Sequence, residues 1–178
     1  MRSSIQRRKL SIPEITVFSM LGAVMFITKY LMEALPGVHL LGLFIAAFTL
    51  TYRVKALIPI YVYVIIDGVV HGFSMWWVPY LYIWALLWGM VMLVSKIKMP
   101  QKAKALVYMA VCGLHGLAFG ILYAPAQAVM FGLTYKLMIA WIIAGLPFDA
   151  IHGLSNFCMA SLVLPLHALL KKLNKITG

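Results

Sequence analysis

Residues 53–74 read RVKALIPIYVYVIIDGVVHGFS, and this stretch predicts the fold class of the whole chain. Two basic residues precede an apolar run, residues 56–74, which has the length of a membrane-spanning helix, about 20 mostly apolar residues. The run holds one acidic residue, Asp67, and polar groups inside a membrane usually face the interior of a helix bundle. The stretch therefore predicts a transmembrane helix with a basic end and a polar face.

The rest of the sequence has the same character. Of 178 residues, 64% are hydrophobic and 11% charged, and the mean hydropathy of +0.98 excludes an ordinary soluble domain. We expect a single integral membrane domain over residues 1–178, an all-α protein with six transmembrane helices. The predicted spans are 14–35, 39–52, 56–74, 78–95, 104–124 and 147–170. Pro125 and Pro147 bracket residues 125–146, which are expected to form an outer interfacial helix or a re-entrant segment.

The basic residues predict the orientation. The net charge of +11 comes from short clusters at the ends of apolar runs, a pattern that indicates membrane topology and not nucleic-acid binding. With both termini in the cytoplasm, six crossings leave only Lys29 and Lys136 away from the cytoplasmic side. The residues placed inside are Arg2, Arg7, Arg8, Lys9, Arg53, Lys55, Lys96, Lys98, Lys102, Lys104, Lys171, Lys172 and Lys175. The predicted location is the plasma membrane, crossed several times.

Polar residues inside the predicted spans are candidate binding residues, because polar groups in hydrocarbon are costly. In this topology most lie in the outer halves of the spans, which predicts a cavity that opens to the outside and is closed toward the cytoplasm. The alternative to ligand binding, for each of these residues, is that it forms an interhelical hydrogen bond or ion pair. These candidates are Lys29, Asp67, His71, Asp149 and His152, with His115 and Asn156 nearer the middle.

Helical spacing groups these candidates. Asp149, His152 and Asn156 follow one another at i, i+3 and i+7 and share one face of the last span, and Asp67 and His71 share a face at i, i+4. Two such faces can line one cavity. Lys29 has three possible partners: Glu33 one turn later, Asp67 across helices, or a ligand.

Aromatic residues are concentrated between 73 and 88, where Trp76, Trp77 and Trp84 are candidates for stacking on a flat ligand. Interfacial belts and lipid-facing packing are the alternatives. Three His-Gly pairs occur, at 71–72, 115–116 and 152–153, but their spacing does not predict a metal site. The glycines have a simpler role in Gly68-x-x-x-Gly72 and Gly116-x-x-x-Gly120, where small residues let helices pack closely. The chain contains neither a phosphate-binding loop nor a nucleophile motif, so we expect no enzyme activity and no ATP hydrolysis by this chain itself.

The sequence resembles the substrate-binding S components of energy-coupling factor (ECF) transporters over nearly its whole length. The resemblance is carried by the basic N-terminus with Ser19-x-x-x-Ala23, the outer loop 36–39, the connection 52–56, and LPFDAIHG at 146–153. The last of these is similar to the family's Pro-Phe-Asn-x-x-Lys-Gly pattern, which contacts ligand in flavin-binding members. Asp149 stands in the Asn position and His152 in the Lys position, so a different substrate is implied.

The resemblance implies an importer subunit that captures a vitamin or related flat heterocyclic micronutrient from outside. Its partners would be a transmembrane coupling subunit, docked near Ser19 and Ala23, and two ATPase subunits that use ATP; this chain would bind no cofactor. The sequence lacks the N-terminal His of metal-specific relatives. An amino-pyrimidine edge paired with Asp149 or Asp67 would fit a pterin-like or deazapurine-like molecule, and thiamine or pyridoxine could use the same groups.

Two other classes stay open at this stage. The chain could be a small membrane enzyme acting on a lipid or isoprenoid, with Asp67, His71, His115 and Asp149 as acid or base groups. It could also be a structural or assembly subunit whose polar residues only pair between helices. Dependence of uptake on an ATPase separates the importer from a membrane enzyme. Ligand binding separates the importer from a structural or assembly subunit.

Overall fold

The computed structural model describes residues 10–177, with side chains as far as Asn174, and it confirms the all-α class. Arg2, Arg7, Arg8 and Lys9 lie outside the described residues, as does the side chain of Lys175. Three short 3₁₀ turns join some of the helices, and the described residues contain no strand. The helices are α1 (Ile12–Leu31), α2 (Leu41–Tyr52), α3 (Leu57–His71), α4 (Tyr80–Val94), α5 (Gln101–Leu117), α6 (Phe119–Phe131), α7 (Tyr135–Met159) and α8 (Val163–Thr177).

Five helical stretches are long and apolar enough to cross a membrane, which is compatible with a multi-pass membrane protein. Some of them join two helices that follow each other with little or no interruption. The five stretches are Ile12–Leu31, Leu41–His71, Met75–Val94, Gln101–Phe131 and Tyr135–Asn174.

The stretch Leu41–His71 is folded back on itself at Arg53. Arg53 is the one described residue other than glycine with a positive φ, 58°, paired with ψ −123°, and this backbone conformation interrupts a helix. Near the start of α1, Glu14 pairs with Lys55, whereas near its end Lys29 pairs with Asp67. Helices α1 and α3 therefore run in the same direction, and α2 between them runs the opposite way.

Two more helices end beside the connection between α2 and α3. Helix α4 ends beside Arg53, whose Nη1 donates to Ser95 Oγ at 2.7 Å, and α8 brings Asn174 within 3.4 Å of the Tyr52 hydroxyl. Helices α4 and α8 therefore both end where α1 and α3 begin. We call the end that carries Arg53, Lys55 and Ser95 the basic end, and the other the opposite end.

Glycines set the spacing of the α5–α7 pair. A methyl group at Gly116 would lie 2.8 Å from Gly153 Cα and 2.9 Å from the His152 carbonyl oxygen, so only glycine allows the two backbones to come this close. The expectation that Gly116 serves close packing is confirmed. Gly72 differs, because nothing lies within 4 Å of its position and its φ of 87° ends α3.

Replacing Gly116 by alanine should lower the free energy of unfolding by about 1–3 kcal/mol, because the added methyl meets backbone atoms that cannot move separately. Gly89→Ala in α4 is the matched control, since nothing lies within 4 Å of that position. It should leave stability unchanged or raise it through helix propensity. Melting temperatures of the purified variants in detergent measure the difference, and equal values for the two would contradict close packing at Gly116.

The prediction that Pro125 and Pro147 bracket a separate outer segment is wrong. Pro125 lies inside α6 and Pro147 inside α7, and the two helices are joined by a short turn at Gly132, whose φ is 63°. Residues 125–146 therefore form a helical hairpin made of the ends of α6 and α7. The predicted start of the last span at 147 is corrected accordingly, because α7 begins at Tyr135.

Candidate functional site

Six polar or aromatic side chains from five parts of the chain meet inside the bundle. The His39 and His152 rings have centroids 4.5 Å apart, and Trp84 lies 6.0 Å from His115 and 6.2 Å from both His39 and Tyr63. One turn after His152, the amide of Asn156 is packed against Gly42. We call these residues the internal cluster: His39, Tyr63, Trp84, His115, His152 and Asn156.

Each member of the internal cluster has a buried polar atom without a hydrogen-bond partner in the protein. Buried polar atoms are nearly always paired, because leaving one unpaired costs about 1–3 kcal/mol. Their concentration in one place is typical of a site that pairs with a bound molecule. The atoms are His39 Nδ1, the Tyr63 hydroxyl, Trp84 Nε1, His115 Nδ1, His152 Nε2, and both Asn156 Oδ1 and Nδ2.

Aromatic rings form the wall of this region. Phe119 lies 4.9 Å from the His152 ring and 5.9 Å from Trp84, and Tyr80 lies 5.4 Å from Trp84. Rings at these separations pack favourably with one another and offer flat faces to a planar molecule.

A cavity of about 340 Å³ adjoins the aromatic wall. Its volume lies within the range of small-molecule pockets. The Tyr123 hydroxyl donates to the Trp76 carbonyl oxygen at 2.8 Å, which holds α6 against the turn before α4 at the opposite end. Phe119 borders both the cavity and the internal cluster, so the two are neighbours. The cavity is lined by Trp76, Phe119, Tyr123, Gln127, Phe131 and Trp141.

Asp149, His152 and Asn156 are all buried, which confirms that they share the inner face of α7. Asp149 nevertheless has its own partner. Its two carboxylate oxygens accept from the Gly120 N–H at 3.0 and 3.1 Å, at the start of α6, where a helix N–H has no partner within the helix. Asp149 therefore anchors α6 against α7.

Lys29 bonds to two of its three predicted partners at once. Its ammonium donates to Glu33 at 2.9 Å and to Asp67 at 3.1 Å, and it joins α1 to α3. His71 approaches the same carboxylates, with Nδ1 3.2 Å from Asp67 and Nε2 3.5 Å from Glu33. We call these four residues the ionic cluster. Asp67 is fully buried, and its second oxygen has no partner in the protein.

The three candidate tryptophans have different surroundings. Trp84 is buried at the centre of the internal cluster, and Trp76 lines the cavity. Trp77 instead donates its indole N–H to the Val64 carbonyl oxygen at 2.7 Å and packs beside Gly68, so it supports the α3–α4 connection. One candidate therefore belongs to the internal cluster, one lines the cavity, and one serves packing between α3 and α4.

His39, Tyr63 and Phe119 belong to the site but were not predicted from the sequence as site residues. Gly37, with a φ of 74°, packs the preceding loop against Ile151 and His152, and this contact places His39 in the cluster. Burial lowers the pKa of His39 to about 4, with a further contribution from the charge of Lys29, so the imidazole is neutral at physiological pH. For His39, the available signal in the sequence was a polar residue just before an apolar helix. For Phe119 there was no such signal.

The predicted docking residues lie on α1. Ser19 is exposed and Ala23 half-buried, next to exposed apolar side chains such as Met20 and Val24. Within the described part of the chain, no three His, Cys, Asp or Glu side chains are arranged so that they could hold a metal ion. The chain matches no protein-family model, no curated protein and no solved structure.

Proposed function

We propose that this chain is the S component of an ECF importer and captures a vitamin or related flat heterocyclic micronutrient from outside the cell. The observation that carries the proposal is the internal cluster, where six residues hold buried polar atoms that lack protein partners. Aromatic walls and an adjoining cavity accompany it, as in other small-molecule sites.

The proposed arrangement has six crossings of the plasma membrane, with the basic end in the cytoplasm. It is supported by the reversal of the chain at Arg53, which divides Leu41–His71 into two passes. It is also supported by charge, because cytoplasmic connections are enriched in Lys and Arg. The described residues grouped at the basic end are Arg53, Lys55, Lys96, Lys98, Lys102, Lys104, Lys171 and Lys172. In this arrangement both termini are cytoplasmic and the cavity opens outward.

The distribution of buried polar side chains favours capture over conduction. Thr49, nearest the basic end, bonds to the Ile45 carbonyl oxygen of its own helix at 2.6 Å. A channel needs polar groups along its full depth. Among the described residues, the other buried polar side chains all lie in the two clusters or at the start of α6: Asp67, His115, Asp149, His152 and Asn156.

The import step requires partners. In the proposed function a transmembrane coupling subunit docks on α1 at Ser19 and Ala23, where small side chains allow close helix approach. Two ATPase subunits supply the energy from ATP. This chain contributes the binding site and the docking surface.

Mass spectrometry of small molecules released from the purified protein tests capture directly. Cells grown in rich medium should yield protein that carries a heterocycle in stoichiometric amount. An empty protein that also gains no thermal stability from a panel of vitamins would contradict the proposal and favour the membrane enzyme or the assembly subunit.

Bulky substitutions on α1 test docking. Ser19→Leu and Ala23→Leu should leave binding of the released compound unchanged and reduce ATPase-dependent uptake at least tenfold, because leucine holds the partner helix away. Gly89→Leu on α4 is the control, since that position is open. Uptake that is equally reduced in the control, or unchanged in all three variants, would contradict docking at this face.

A further inference from the structure

The unpaired polar atoms of the internal cluster belong to uncharged groups. The Tyr63 hydroxyl, the Trp84 indole and the Asn156 amide carry no charge, and the His39 imidazole is neutral because burial disfavours its proton. Together these groups can donate and accept, because an indole only donates while an amide does both. The cluster therefore presents hydrogen-bonding capacity without a net charge.

The charged side chains nearest the cluster already have hydrogen-bond partners in the protein. Lys29 bonds to both Glu33 and Asp67, and His71 approaches the same two carboxylates. Asp149 is bonded through both oxygens to the Gly120 amide. Among the described residues, the one buried carboxylate oxygen without a hydrogen-bond partner in the protein is Asp67 Oδ2. An anionic ligand in the internal cluster would lose its water without gaining a free cation, because Lys29 is held by two carboxylates. A cationic ligand would have to share a carboxylate that Lys29 or the Gly120 N–H already contacts.

The shape of the surroundings limits the ligand further. Trp84 and Phe119 are inclined by 43° to each other and meet the imidazoles of His115 and His152 at 6.0 and 4.9 Å. Flat rings pack on such faces, and several of the same side chains carry the unpaired polar atoms. A planar molecule uses both features at once.

We infer that the molecule bound at the internal cluster is an electrically neutral, planar heterocycle whose edge both donates and accepts hydrogen bonds. The inference rests on the proposed function and specifies its substrate class. It excludes vitamins that are held through a carboxylate, a phosphate or a fixed positive charge. It does not depend on recognition of an amino-pyrimidine edge by Asp149, whose carboxylate accepts from the Gly120 N–H and anchors α6 against α7.

The charge of the released compound tests the inference on the wild-type protein. Mass spectrometry identifies the compound, and its electrophoretic mobility at pH 7 gives its net charge, which we expect to be zero. A stoichiometric but charged compound would overturn the inference and leave the capture function standing. Absence of any compound, together with no stabilisation by vitamins, would overturn both.

A matched set of probes adds a second readout. Nicotinamide, nicotinate and 1-methylnicotinamide share one ring and differ in charge, and lumichrome is a larger neutral ring system. We expect thermal stabilisation by at least one neutral probe and none by nicotinate or 1-methylnicotinamide. Stabilisation by the cation above that by nicotinamide would overturn the inference and indicate Asp67 as its counter-ion. If no probe stabilises the protein, a neutral released compound supports the inference and a charged one overturns it.

Asn156→Asp adds a carboxylate with almost no change in shape. The variant should retain at least tenfold less of the released compound than the wild type, a loss of about 1.4 kcal/mol or more. Asn174→Asp makes the same change at the basic end, where Asn174 contacts Tyr52, and should retain the compound fully. Full retention by a correctly folded Asn156→Asp variant would overturn the inference.

Discussion

Replacing Lys29 by methionine should lower the free energy of unfolding by about 3–5 kcal/mol, because it leaves the buried carboxylate of Asp67 without its ammonium partner. Asp67 has no exposed surface, and its remaining contact is with His71 at 3.2 Å. Methionine keeps most of the length and the apolar stem of lysine, so the effect reports the lost charge. Unfolding in detergent, followed by helix content, measures it.

Two further variants make this result specific. Lys136→Met removes an exposed lysine in the hairpin between α6 and α7 and should have little effect. Lys29→Met combined with Asp67→Leu removes both charges and should recover much of the lost stability, since an apolar pair can replace a buried ion pair. A Lys29→Met protein as stable as Lys136→Met would contradict the role of the ionic cluster in joining α1 to α3.

The largest expected effect on binding is at His152. His152→Leu should weaken binding of the compound released from the wild-type protein about 100-fold, or about 2.8 kcal/mol. It removes an imidazole whose Nε2 is buried without a protein partner, next to His39 and Phe119. A hydrogen bond lost inside a dry site is costly because water does not replace it.

His167→Leu provides the control for this experiment. His167 lies on α8, and its Nδ1 is 2.9 Å from the Thr51 hydroxyl near the basic end, away from the internal cluster. The substitution should leave binding unchanged. Isothermal titration of both variants compares the affinities, and equal binding by His152→Leu and the wild type would exclude His152 from the site.

The agreement between the sequence predictions and the structure differs from one element to another. Hydropathy predicted the apolar stretches that form most of the helices, because burial in lipid requires long apolar runs, but it did not predict that α7 begins at Tyr135. The i, i+3, i+7 spacing predicted that Asp149, His152 and Asn156 are buried together. Proline was misleading, because α6 and α7 continue through Pro125 and Pro147.

By itself the sequence determined the all-α class, most of the apolar helical stretches that are long enough to cross a membrane, and most of the polar side chains inside the bundle, because these depend on local composition and helical period. Only the tertiary structure decided the partners. It paired Asp149 with Gly120, joined Lys29 to both Glu33 and Asp67, and brought His39 from a loop to His152. These contacts link residues on different elements, and their geometry depends on how closely glycines such as Gly116 let the helices approach.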